Sequence, residues 1–371
     1  MIDPKKFYNS LIKNNFDFFT GVPDSLLKEF CLCIKDLTEK NKNIISANEG
    51  NALALACGYN ISTNKYGVVY MQNSGLGNII NPLLSLADEK VYKIPVLFII
   101  GYRGEPNIYD EPQHIKQGEL TLPLLDTLGI KYCILNEEYE TQIENCYEYI
   151  SQHNKSIALI VKRNTFLKYD KEINNKNNNS LTREDVLDII INNIGDKDFI
   201  VSTTGKTSRE IFEIREKYNM QHSNDFLTVG SMGHTSSLAL GISLFTKKNI
   251  FCIDGDGSML MHYGGLAVAI QNANDNFKYI LINNGCHESV GKQPTIAYQI
   301  DIPKILSGFG FRKTITINEK KELIEGLTEI RSKGKTALII NTNDKSRKNL
   351  GRPTISPKEN KLEFQNKLKK D

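Results

Sequence analysis

The chain has 371 residues, with 46 Lys and Arg against 43 Asp and Glu, a formal net charge of +3 and 40% hydrophobic residues. That length exceeds what one core usually serves and predicts two domains, while the nearly balanced charge makes no demand for nucleic acid. Seven cysteines, an odd number without a Cys-x-x-Cys pair, argue against a disulfide framework. Met1-Ile2-Asp3-Pro4-Lys5-Lys6 lacks the apolar core of a signal peptide, and no run approaches the ~18 apolar residues of a membrane span. A soluble cytoplasmic α/β protein is expected.

Through the first half, strand-like runs alternate with helical ones: residues 16–20 then 26–34, 43–47 then 51–59, 68–71 then 79–87, followed by strand-like 95–100 and 157–161. Such alternation predicts βαβ units and a mostly parallel sheet, with function gathered where strands end and helices begin. At the first junction, in Gly21-Val22-Pro23-Asp24-Ser25, Asp24 or Ser25 is placed to cap the next helix. At the second, Ala47-Asn48-Glu49-Gly50-Asn51, Asn48 serves as cap and Glu49 sits in the first turn, where the helix dipole favours a carboxylate. The third, Gln72-Asn73-Ser74-Gly75-Leu76-Gly77-Asn78, reads as a tight glycine-rich turn. After Ile99-Ile100-Gly101 comes a polar, irregular passage containing Arg103 and the string Asp110-Glu111-Pro112-Gln113-His114. At a strand's carboxyl end, Arg103 and His114 suit a cation and a proton donor for an anionic substrate.

Residues 169–180, with Asn174-Asn175-Lys176-Asn177-Asn178-Asn179, read as a linker between domains 1–168 and 181–371. Thr182 with Asp185 signals a capped helix start. Strand 199–202 then leads to Thr203-Thr204-Gly205-Lys206-Thr207-Ser208-Arg209 and a helix through Lys217. Lys206 and Arg209 stand at that strand-to-helix turn, where cations and free N–H groups hold a phosphonate or phosphate; a solvated charge pair is an equal alternative. Gly205-Lys206-Thr207 is not a P-loop, because the leading glycine would fall at Ile200. Strand 226–229 precedes Gly230-Ser231-Met232-Gly233-His234.

The segment 249–295 concentrates the chemistry. Strand 249–253 runs into Asp254-Gly255-Asp256-Gly257-Ser258, a long helical pattern follows, and strand 279–282 ends in Asn283-Asn284-Gly285-Cys286-His287. Parallel neighbouring strands bring their carboxyl ends together, so Asp256 and Asn284 are expected to converge on one ion. A carboxylate plus an amide oxygen is hard-oxygen ligation, suited to Mg²⁺ or Ca²⁺ rather than zinc. Gly255 and Gly257 let backbone approach a diphosphate, and Ser258 opens a helix whose N–H groups favour its oxygens. A dinucleotide fingerprint fails because a third glycine would be needed at Leu260. Within the helical pattern, Met259, Tyr263, Leu266, Ala267 and Ile270 recur at core spacing. Beyond Asn341 the alternation fades into a Lys- and Arg-rich tail, 345–370, which reads as a solvated charge run.

Glycine, aspartate, glycine, about two dozen residues and then paired asparagines resembles the signature of the thiamin-diphosphate-dependent decarboxylases, and the continuation from Asn283 to Thr295 looks like the phosphonopyruvate decarboxylases among them. The likeness extends from Gly21 to Arg352. It implies an α/β fold of two similar doubly wound, mainly parallel domains without a middle domain, the first gripping the cofactor's pyrimidine and the second its diphosphate and Mg²⁺. In that family the glutamate matching Glu49 shares a proton with the aminopyrimidine, the segment at Asp24 borders substrate, and the turn holding Asn73 and Gly75 lines the pyrimidine. Ser231 and Met232 match the segment whose bulky apolar residue wedges against the cofactor, and His234 is expected near it. Gly255, Asp256, Gly257, Ser258 and Asn284 match the cofactor-binding motif. Asp256, Asn284 and the backbone carbonyl of Cys286 are implied as metal ligands, with His287 and Glu288 beside them. Asp24, Arg103, His114, Lys206, Arg209 and His287 become candidates for substrate, and Glu49, Asp24 and His114 for catalysis.

The resemblance implies conversion of 3-phosphonopyruvate to phosphonoacetaldehyde and CO₂ in phosphonate biosynthesis, by a homodimer or larger homo-oligomer with active sites at subunit interfaces. A sulfopyruvate decarboxylase is the near alternative. A non-catalytic nucleotide- or RNA-binding protein is the alternative of another class, and Ile200 in place of a P-loop glycine argues against it.

Overall fold

The computed structural model describes residues 1–171, 177–332 and 334–369. They form two compact units, one of Met1–Asn174 with Val290–Gln293 and the other of Asn175–Ser289 with Pro294–Asp371. Residues 172–176 of the expected linker lie outside the described residues. The first unit runs α1 (Pro4–Lys13), β1 (Phe19–Gly21), α2 (Lys28–Leu37), β2 (Asn43–Ile45), α3 (Glu49–Thr63), β3 (Val68–Gln72), α4 (Leu76–Pro82), β4 (Leu97–Gly101), α5 (Pro112–Thr127), β5 (Lys131–Ile134), α6 (Tyr139–His153) and β6 (Ile157–Val161). Its sheet is parallel throughout, in the order β2-β1-β3-β4-β6-β5.

Strand alternation builds two apolar layers on this sheet. Phe19, Val68, Tyr70, Leu97, Ile99, Leu159 and Val161 face one side, whereas Val69, Met71, Phe98, Ile100, Ala158 and Ile160 face the other. Local chemistry sets the helix starts. Asp3 accepts from Lys5 N at 2.8 Å with Pro4 in the first turn of α1, and Asn48 accepts from Asn51 N at 3.0 Å to begin α3.

The second unit contains α7 (Arg183–Asn193), β7 (Phe199–Ser202), α8 (Lys206–Lys217), β8 (Asp225–Leu227), α9 (Thr235–Ser243), β9 (Ile250–Gly255), α10 (Asp256–Met261), α11 (Tyr263–Asn272), β10 (Phe277–Asn283), α12 (Ile302–Phe309), β11 (Lys313–Ile317), α13 (Lys320–Glu329), β12 (Thr336–Asn341) and α14 (Pro357–Lys369). The parallel sheet order is β8-β7-β9-β10-β12-β11, which repeats the topology of the first unit strand for strand. Thr182 and Asp185 form the expected reciprocal cap of α7. Among the described residues no helix or strand lies between β6 and α7, so there is no middle domain. Among the described residues no helix is long and apolar enough to cross a membrane.

Three expectations about the elements are corrected. The passage after Gly101 is not irregular as far as His114: Pro112 occupies the first turn of α5, so His114 is helical. A proline needs no N–H there, and the acidic pair before it concealed the start. The long helix after Asp256 is two helices, broken at His262 with φ −137° and ψ 56°, where the ring packs so closely on Gly233 that a Cβ there would lie 2.6 Å from Cδ2. Finally, the tail is not merely a solvated charge run. In α14 the buried Asn360 donates to Asp225 O at 2.8 Å and accepts from Leu227 N at 3.0 Å, completing the open edge of β8. Phe364 packs edge-on against Phe199 and Phe226, at 5.3 and 5.7 Å between ring centres.

Candidate active site

In both sheets the strand order reverses between the first and third strands, the place where open α/β sheets bind ligands beyond the strands' carboxyl ends. In the second unit, β9 and β10 pair with Ile282 opposite Gly255, which sets Asn283 and Asn284 alongside Asp256. Asp256 opens α10 and is buried; its Oδ2 accepts from Thr295 Oγ1 at 2.5 Å, and the N–H groups of Asn284 and Gly257 point at the same carboxylate. Burial raises its pKa to about 6 despite these donors. A buried carboxylate held by neutral donors is a natural seat for a hard cation. Asn284 Oδ1 accepts from the Cys286 N–H at 3.1 Å, folding the loop back on itself. Gly285, at φ +73°, makes that turn where any Cβ would meet the Tyr298 ring at 2.4 Å. Among the described residues no three His, Cys, Asp or Glu side chains gather as they would around a transition metal.

Gly257 is buried, and a Cβ there would lie 2.7 Å from His287 Cε1 and 3.3 Å from the Met232 methyl, so these two side chains pack directly on its backbone. Ser231, at φ +53°, turns the chain sharply into Met232, and Gly233 N donates to Ser258 Oγ at 3.1 Å. The Gly230–His234 loop is thereby tied to the start of α10. The His287 imidazole is held to a pKa of about 4 by burial, and so is neutral near pH 7. Met259, Leu266 and Ile270 are core residues as their spacing predicts.

Asp254 was passed over by sequence reasoning. It is buried, accepts from Gly255 N at 2.9 Å and from Tyr279 OH at 3.3 Å, and burial lifts its pKa to about 6. The signal was present, because a carboxylate closing the apolar run Ile250-Phe251-Cys252-Ile253 is out of place in a buried strand. Lys206 and Arg209 are not a solvated pair. Lys206 Nζ donates to Glu288 Oε1 and Ser346 Oγ, each at 2.6 Å, and Arg209 donates to the carbonyls of Leu350 and Gly351. The turn that carries them faces the chain's own tail.

In the first unit, Glu49 is buried at the start of α3 and its Oε2 accepts from Asn78 Nδ2 at 2.6 Å. Gly75 stands directly against it, since a Cβ there would lie 2.5 Å from Glu49 Cγ and 2.6 Å from Oε1. Gly75→Ala should therefore swing the carboxylate aside. We expect kcat to fall about 100-fold, the penalty of an ångström-scale misplacement, with far-ultraviolet circular dichroism unchanged; retained kcat would show that the placement of Glu49 is uncritical.

The Asn73 side chain is engaged within the protein. Its amide donates to Arg103 O at 2.7 Å and Thr121 Oγ1 at 2.8 Å, and its Oδ1 accepts from Arg103 N at 3.3 Å. With both N–H groups engaged inside the protein, it pins the chain that follows β4. Arg103 is in turn forked onto Asp110, at 2.8 and 2.5 Å, and donates to Ser25 Oγ at 2.9 Å. Burial pushes Asp110 up, but the Arg103 fork and the Gly104 N–H outweigh it and hold the carboxyl at about 2. Asp24 is buried beside Gly101, with Oδ2 accepting from Leu26 N at 2.8 Å and Oδ1 from Gln72 Nε2 at 2.5 Å. Burial, and then the Arg103 charge, lower the pKa of His114. Its Nδ1 is buried without a hydrogen-bond partner among the described residues, the condition of a group awaiting a ligand or water. Asp24, Arg103 and His114 thus belong to one polar cluster, with Gln72 and Asp110 as members that sequence reasoning did not assign and Ser25, a candidate helix cap by sequence, bound to Arg103 instead.

Comparison with known proteins agrees with this layout. Residues 5–130 match the N-terminal TPP binding domain of thiamine pyrophosphate enzymes, and residues 203–341 match their C-terminal TPP binding domain. The chain is 30% identical over 332 residues to the phosphonopyruvate decarboxylase of Streptomyces viridochromogenes, covering 84% of this chain and 81% of that protein. It is 29% identical to the phosphonopyruvate decarboxylase of Streptomyces hygroscopicus over 84% of this chain and 80% of that protein. To the sulfopyruvate decarboxylase of Methanosarcina acetivorans it is 26% identical, over 83% of this chain and 84% of that protein. With both cofactor-binding domains present and the likeness sustained along most of its length, the chain belongs to the thiamine pyrophosphate enzymes, in the family of the phosphonopyruvate decarboxylases, and is a 2-oxo acid decarboxylase.

Proposed function

We propose that the protein decarboxylates 3-phosphonopyruvate to phosphonoacetaldehyde and CO₂, with thiamin diphosphate and Mg²⁺ as cofactors, in phosphonate biosynthesis. The observation that carries the substrate is the sustained identity to two phosphonopyruvate decarboxylases, above that to the full-length sulfopyruvate enzyme. The buried Asp256 beside Asn284 supports the cation, and Gly257 at the start of α10, where Met232 and His287 pack too closely for a Cβ, supports the cofactor. When bound, thiamin diphosphate supplies the electron sink that loss of CO₂ requires. The protein's own part is placement. Asp256, Asn284 and the Cys286 carbonyl would hold Mg²⁺; Gly255, Gly257 and Ser258 would accept the diphosphate; Ser231 and Met232 would support the cofactor's bend; Glu49 would exchange a proton with it. Asp24, Arg103 and His114 would meet the anionic substrate, and the His114 imidazole is suited to exchanging a proton with it.

Incubation of the purified enzyme with each keto acid and measurement of the aldehyde tests this reading. Turnover of 3-phosphonopyruvate is expected; turnover of sulfopyruvate alone would reassign the substrate to the sulfonate.

We further propose a homodimer as the smallest unit. On and just after the mutually packed helices α9 and α11, Phe245 is 90% exposed and Val268 59%, with Leu238 and Leu244 also exposed. Neighbouring apolar side chains left in water mark an association surface, and a second copy of this chain is the partner a homo-oligomer supplies. Phe245→Asp should shift the protein toward monomer in sedimentation velocity and lower its specific activity; an unchanged sedimentation coefficient would place the contact elsewhere.

A further inference from the structure

We propose that the C-terminal segment 346–351 is a strap that positions the metal-binding loop through Glu288, so that cofactor retention depends on how that segment is docked. The inference rests on the reading that Asp256, Asn284 and Cys286 hold the cation.

Glu288 follows Cys286 by two residues, and its side chain is only 6% exposed. Its carboxylate accepts from Arg183 NH1 and Lys206 Nζ, each at 2.6 Å, and from the hydroxyl of Ser346. Arg183 is shared, since its Nε and NH2 fork onto Glu210 at 2.7 Å each. Two carboxylates and two cations thus balance in a buried cluster. Removing one partner from such a cluster leaves a charge uncompensated, so its members must move together. Ser346 closes the cluster, contacting both Lys206 and Glu288.

The remainder of the strap is fastened across α7 and α8. Arg347 Nε donates to Glu184 at 2.7 and 3.0 Å, and its NH2 donates to Glu213. Gly351 N donates to Glu213, Arg209 donates to the carbonyls of Leu350 and Gly351, and Leu350 is buried. The strap's other end continues from β12 through Asn343, whose N–H donates to Leu181 O at 2.8 Å. Between Glu288 and Cys286 stands His287, whose ring lies over Gly257. Fixing Glu288 therefore fixes both the loop proposed to hold the metal and the ring that packs on Gly257. This gives Lys206 and Arg209 a definite role as anchors of the strap.

The test uses the full chain stripped of cofactor, with thiamin diphosphate titrated by calorimetry at saturating Mg²⁺. Ser346→Ala and Glu288→Gln are expected to raise the dissociation constant about tenfold or more, the usual cost of losing an outer-shell support. Ser346→Thr, which keeps the hydroxyl, should restore most of the affinity. In rate measurements the defect should appear more in the cofactor concentration for half-maximal velocity than in kcat. Lys13→Ala, which removes an exposed ion pair with Glu144 between α1 and α6 of the first unit, should leave affinity unchanged. If Ser346→Ala bound cofactor as wild type does, or lost only stability toward urea, the positioning role would be refuted. Should Glu288→Gln fail to fold, the Ser346 pair still decides. Absence of binding by the wild-type protein would instead refute the cofactor reading on which the strap depends.

Discussion

Glu49→Gln is expected to lower kcat by about 10²- to 10⁴-fold, the range of a positioned acid–base group, while thiamin diphosphate still binds. The substitution keeps the shape of the side chain and so preserves its fit against Gly75 and its contact with Asn78. Only the capacity to exchange a proton is lost. The two measurements therefore separate: calorimetric cofactor affinity should remain within a few-fold of wild type, and single-turnover decarboxylation should collapse. Near-normal turnover would remove Glu49 from the chemistry. A joint loss of binding and turnover would mean that its charge serves cofactor retention.

Asp256→Ala should weaken Mg²⁺-dependent cofactor binding by about 100-fold or more, since even supports outside the ligand shell cost 10- to 100-fold. The sign of the pH dependence follows from burial. With its pKa raised from 3.8 to about 6, Asp256 in the cofactor-free protein binds its proton more tightly when folded than when unfolded. This group's contribution to stability is therefore present in acid and is lost as pH rises from about 4 to about 6, leaving a cost of about 3 kcal/mol at pH 7 for burying the ionised form. A cation offsets that cost but must displace the proton in acid. Below pH 6, cofactor affinity at fixed Mg²⁺ should fall about tenfold per pH unit. Asp256→Asn should be weak at every pH and lack this slope. A wild-type affinity flat from pH 5 to 7 would exclude Asp256 as the titrating ligand.

The candidate site was legible in unequal parts. Asp256 and Asn284 were expected at adjoining strand ends, and the β9–β10 register places them there. Asn48 as a cap and the Thr182–Asp185 start of α7 were equally readable, because a cap involves residues only a few positions apart. Thr295, Asn78 and Gln72 were not legible as partners of Asp256, Glu49 and Asp24, because each pair is far apart in sequence. Gly75 and Gly257 were noted as glycines, but the side chains that forbid a Cβ there emerged only in three dimensions.

The amino-acid sequence by itself determined two parallel α/β units and, through its motifs' resemblance to a family, the class of cofactor and the segments proposed to hold it. Strand and helix periodicity and short motifs are local properties, written into neighbouring residues. Only the tertiary structure decided which charges meet: Arg103 with Asp110, Arg183 with Glu210 and Glu288, and Lys206 and Arg209 with the tail. It also turned Asn73 toward the backbone of Arg103 and broke the helix after Asp256 at His262. Such pairings depend on the direction of each side chain and on segments brought together across long stretches of chain, which residue order alone does not specify.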